Sequence, residues 1–123
     1  NINPGRIKTR LLKITYPQKY SQRFEKFKEL LLQGDVGFFG ASQELFSYLY
    51  TALGSVLTRF NIYDNDKFKQ GQYLGRNLIP IRSADEIKDK KIVIMPRTYA
   101  QEITQGLKKK KLKSKIINIW EKY

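Results

Sequence analysis

Apolar positions recur along this chain at two periods. In YSQRFEKFKELLLQ, residues 20–33, Tyr20, Phe24, Phe27 and Leu31 are spaced by four, three and four, one face of an α-helix, and Gly34 follows where a left-handed residue ends a helix. DVGFFGA is then a short continuous apolar run of strand length that stops at Gly40. Ser42 is placed to cap the next segment, QELFSYLYTALGSVL, in which Leu45, Leu49, Ala52 and Val56 share one side. FNIYD is a second strand-like run, and LIPI a third whose Pro80 lacks an amide donor and so suits a sheet edge. SADE, residues 83–86, has the form of a capping box and predicts a helix of about two turns ending near Lys90. KIVIMP reads as a fourth strand, TYAQEITQGLKK as a helix capped by Thr98, and KIINIW as a fifth strand with Trp120 as a packing anchor.

After the lead-in helix the order is β, α, β, β, α, β, α, β. Strands that alternate with helices at this spacing predict a parallel sheet with right-handed crossovers, and runs such as IVIM, apolar at every position, suit strands covered on both faces. The expected fold class is α/β, a Rossmann-like sheet of about five strands in the order 3-2-1-4-5 flanked by helices. Residues 20–123 form this domain, and residues 1–19 a basic N-terminal extension. In that order the carboxyl ends of strands one and four meet at the switch point where such sheets bind ligands.

Composition narrows the chemistry. The chain contains no Cys and no His, which removes disulfides, thiolate nucleophiles, the usual zinc ligands and the commonest general base, and no metal site is expected. No apolar run approaches the ~20 residues of a membrane span, and the expected location is cytoplasmic. The first residues resemble no signal peptide and lack an initiator Met, the mark of a piece of a longer protein. The net charge is +13, distributed as +6 over residues 1–33, +1 over 34–107 and +6 over 108–123. A body so nearly neutral disfavours nucleic acid as the main partner. The lysines 108–111, 113 and 115 fit the C-terminal end of a helix, where cations offset the helix dipole, and leave a basic module for RNA or an anionic membrane surface as the alternative reading.

Candidate site residues cluster at the predicted carboxyl end of the sheet. A dinucleotide fingerprint needs three glycines for a tight turn, close approach of a pyrophosphate and close helix packing. From Gly40 the second and third of these positions hold Ser42 and Leu45, so the Gly40–Ala41–Ser42 turn keeps a hydroxyl and helix-terminal amides for a phosphate, or serves only as a turn. Asp64 lies 24 residues after Gly40, where an acidic side chain accepts hydrogen bonds from a ribose, although DND is equally turn chemistry. After the fourth strand, Pro96, Arg97 and Tyr99 come to the same end, Arg97 as a phosphate clamp or a solvated cation and Tyr99 as a stacking surface.

The stretch DNDKFKQGQYLGRNLIPI resembles the segment after the second strand in the C-terminal Rossmann-like domain of S-adenosylmethionine-dependent sugar C-methyltransferases. There an acidic DN pair, KQG, a Tyr, a Gly and an IP strand recur in that order. The GFFGAS turn and the YAQEI helix start are similar to the same family, so the resemblance covers about residues 20–120. It implies that Asp64, Asn65, Lys67, Gln70, Gly71 and Tyr73 form a structured connection at the ligand end of the sheet. It also implies an accessory domain of a nucleotide-sugar- or polysaccharide-modifying protein that supports catalysis performed elsewhere. The partners expected are other domains of the parent chain, a nucleotide-sugar ligand, or a second copy in a homodimer. No cofactor is specified, and the candidate nucleotide- or sugar-phosphate-binding set is Gly40, Ala41, Ser42, Asp64, Asn65, Lys67, Pro96, Arg97 and Tyr99.

Overall fold

A computed structural model of the chain describes residues 18–52, 59–74 and 79–122. The elements run α1 (Gln18–Gln33), β1 (Val36–Phe39), α2 (Gln43–Ala52), β2 (Asn61–Tyr63), β3 (Tyr73–Leu74), β4 (Ile79–Arg82), a 3-10 turn (Ala84–Glu86), β5 (Lys91–Ile94), α3 (Ala100–Lys109), β6 (Lys115–Asn118) and α4 (Ile119–Lys122). They build a Rossmann-like α/β domain with the strand order β3-β4-β2-β1-β5-β6. All neighbours are parallel except β3 and β4. The expected order 3-2-1-4-5 is therefore present, extended by one additional strand.

Alternation along β1 divides the core. Val36 and Phe38 point to the face covered by α1, α2 and α4, where Phe27, Leu31, Leu45, Tyr48 and Ile119 are buried. Phe39 points to the opposite face, with Tyr63, Ile92, Ile94, Ala100 and Leu107 under α3. On the first face Phe27 packs on Phe38 at 4.9 Å between ring centroids and meets Tyr48 edge-on at 5.1 Å, so the lead-in helix is seated by aromatic contacts. Gly34 ends that helix with φ +75°, as its position after the apolar stripe implies. The Tyr20 side chain and Val56 lie outside the described residues.

Four expectations are corrected. Pro80 is not in an edge strand, because the two-residue β3 pairs outside β4 and places Tyr73 opposite Pro80. The capping box at Ser83 and Glu86 forms, but the helix it opens is a single 3-10 turn, after which Ile87 is extended at φ −66° and ψ 121° and buried in the second core. Thr98 does not cap α3, since Tyr99 holds the N-cap position without a side-chain bond. The last strand stops at Asn118, and the chain turns helical so that Ile119 reaches the first core. Tyr48, Phe38 and Phe39 are buried, whereas Tyr50 is 90 % exposed.

Candidate functional site

The carboxyl ends of β2, β1 and β5 converge on the turn after β1. Gly40 donates its amide to the Tyr63 carbonyl at 2.7 Å and thereby extends the β1–β2 ladder by one residue. Its φ of +102° then bends the chain away, and a Cβ there would run into Cδ and Cγ of Pro96. Glycine is required at this position twice over, for the dihedral and for the approach of the β5 loop. Ser42 caps α2 as its placement predicts: its Oγ accepts the Leu45 amide at 3.4 Å and its carbonyl the Phe46 amide at 3.1 Å.

Asp64 reaches across this turn. Its Oδ2 accepts the Ala41 amide at 2.8 Å and its Oδ1 the Asp66 amide at 2.8 Å, so one carboxylate joins the two loops. Lys69 folds back over the same place, with Nζ donating to the Ala41 carbonyl at 3.1 Å and lying 3.9 Å from Asp64 Oδ2. The Gln70 side chain donates to the Asp64 carbonyl at 2.8 Å, and Asp66 Oδ1 accepts the Phe68 amide at 2.9 Å. Gly71, at φ +83°, donates to Ile81 and returns the chain to β3. Side-chain-to-backbone bonds of this kind are how Asp shapes a turn. The segment from Asp64 to Tyr73 is thus a structured connection.

Beyond Pro96 the chain joins a second arrangement. The Trp120 indole donates to the Met95 carbonyl at 3.0 Å, and the guanidinium carbons of Arg23 and Arg97 lie 4.6 and 5.7 Å from its ring centroid. These are cation–π distances. Arg23 also donates to the Ile119 carbonyl at 3.3 Å, tying α1 to α4.

Of the nine residues read from the sequence, Gly40, Ala41, Ser42, Asp64 and Pro96 are brought together at one turn. Arg97 is directed to Trp120, and Asn65, Lys67 and Tyr99 are exposed around the rim. Sequence reasoning missed Lys69 as the cation of the turn and Trp120 as the partner of Arg97. Only the fold-back of the loop puts a residue five positions after Asp64 above that carboxylate. Among the described residues no group of three or more Asp or Glu is arranged to hold a metal ion.

Chemically, the turn presents an anion site already filled by the chain itself. In a phosphate-binding turn the amides after the first strand face the ligand. Here the first of them is bonded to a carboxylate whose charge Lys69 offsets. The class defined by fold and turn is a Rossmann-like α/β domain with a self-occupied switch point. No protein-family model, curated protein or solved structure matches the chain.

Proposed function

We propose that this domain is an accessory scaffold of a nucleotide-sugar- or polysaccharide-modifying protein, associated with a methyl-transferring part, and that its sheet end is a rigid docking frame rather than a tight nucleotide site. The observation that carries the reading is the Ala41–Asp64 hydrogen bond under Lys69. A phosphate arriving at this turn would meet a carboxylate of its own sign, on the amide it needs. What remains for a nucleotide or sugar phosphate is the rim, where Arg97, Tyr99, Lys67 and the first amides of α2 offer weak contacts.

Titration calorimetry with nucleotide sugars, NAD and S-adenosylmethionine tests this directly. The expected result is no heat at micromolar protein, and saturable heat with a nucleotide sugar would overturn the scaffold reading in favour of binding. Asp64→Ala adds a second arm. It frees the Ala41 amide, destabilises the domain by about 1–3 kcal/mol, and makes its melting temperature rise with added phosphate while the wild type stays unmoved.

A further inference from the structure

We propose that the amino-terminal end of β5 and β6, with the C-terminal end of α3 beside it, is a docking surface for an anionic membrane face, held by lysine charge. The proposal stands independently of the scaffold reading, which concerns the opposite end of the sheet. Two lysine-rich runs about 25 residues apart are brought side by side here. Lys115 donates its amide to the Lys90 carbonyl at 2.8 Å, and Lys91 and Lys115 are partners in the β5–β6 register. Residues 88–91 and 108–115 contain nine lysines and one acid, Asp89. That acid makes no ion pair with them: it is only 7 % exposed and its carboxylate is engaged by the Tyr63 hydroxyl and the Asn61 amide, each at 2.8 Å.

The acids next nearest are also engaged. Asp85 pairs with Lys110 at 3.2 Å, Glu86 with Arg82 at 3.5 Å, and Asp35 accepts the Lys90 amide at 3.1 Å. Among the described residues, Lys88, Lys90, Lys111, Lys113 and Lys115 form no ion pair, and all five are exposed. Like charges on directly paired strands oppose folding, so the arrangement is one that folding alone does not favour.

The composition of the surface selects the partner. Both runs are lysine without arginine and carry no aromatic residue, whereas the loops at the other end carry exposed Phe68 and Tyr99. Nucleic-acid recognition draws on guanidinium forks and stacking rings. An extended plane of lipid headgroups rewards the number of compact cations near it. No helix among the described residues is long and apolar enough to cross a membrane.

Flotation of the full chain with phosphatidylcholine vesicles, with and without roughly one-third phosphatidylserine, is the test. The expected result is adsorption only to the anionic vesicles, lost when salt shortens the screening length to a few ångströms. Replacing Lys88, Lys90 and Lys91, or Lys111, Lys113 and Lys115, by Gln is expected to weaken partition by roughly a hundredfold per triple, and replacing the same residues by Arg to preserve it. Equal adsorption to neutral vesicles, no adsorption at low salt, or Gln variants that melt cooperatively and still bind like wild type would each overturn the proposal. Displacement from vesicles by RNA at a lower phosphate concentration than the lipid would likewise overturn it and assign the surface to nucleic acid.

Discussion

A Cβ on Gly37 would lie 2.6 Å from Cε2 of Tyr63 and 2.8 Å from Cδ1 of Ile92, and closer still to Asp89 Oδ2. None of the three neighbours is a free chain end, because the Asp89 carboxylate is fixed by Tyr63 and Asn61 and both hydrophobic groups are buried. Gly37→Ala is therefore expected to destabilise the domain by about 3 kcal/mol, at the upper end for overpacking, and the urea midpoint is the measurement. Tyr63 itself titrates abnormally. Burial raises its phenol above the ordinary value of 10.0, the hydrogen bond to Asp89 and the carboxylate's charge raise it further, and Arg82 and the Lys88 backbone oppose them weakly. A raised phenol binds its proton in the folded state after the unfolded chain has released it, so stability is fully present below about pH 10 and falls as pH rises beyond it. Tyr63→Phe lacks this titration. It should be about 1–3 kcal/mol less stable than wild type at pH 8, where Asp89 loses a donor, and the gap should narrow by about 1 kcal/mol between pH 10 and 11. A gap independent of pH would show that the phenol does not titrate differently on folding.

Element by element, legibility followed the length and period of the apolar signal. β1, β2, β5 and β6 declare themselves as short apolar runs, and α1 through the four-three-four spacing of Phe24, Phe27 and Leu31 with Tyr20. β3 does not, because two residues carry no period and its existence depends on pairing with β4. The box at Ser83 was legible in full, with its Ser83 amide donating to Glu86 at 3.1 Å, yet the helix behind it was not. Past Ile87 the chain has to deliver Asp89 to Tyr63 and Asn61 and enter β5, and this long-range demand overrides the local start signal. Asp64 divides along the same line. Its position at the end of β2 follows from counting, while its partner, the Ala41 amide, follows only from the parallel pairing of β1 with β2 that sets the two loops beside each other.

For the molecule as a whole, charge is the term that sequence and fold treat differently. The sequence places +6 in residues 108–123, and the fold sets Lys115 of that segment beside Lys90 and Lys91, while Lys110 pairs with Asp85. Net positive charge of this density resists compaction, and at about 0.01 M salt, where the screening length is about 30 Å, the whole patch repels itself. The thermal midpoint should therefore rise as NaCl is increased from about 0.01 M to about 0.3 M, the opposite of what a fold supported by surface ion pairs would do. Exchanging Lys111, Lys113 and Lys115 for Gln removes three of the repelling charges and should stabilise the domain at the low-salt end by about 1 kcal/mol, or about 3–5 °C in midpoint. The two proteins should converge as screening sets in. Wild type melting above this variant at low salt would mean that the lysines are satisfied within the fold, and a surface already neutralised in that way would have no surplus charge to offer a partner.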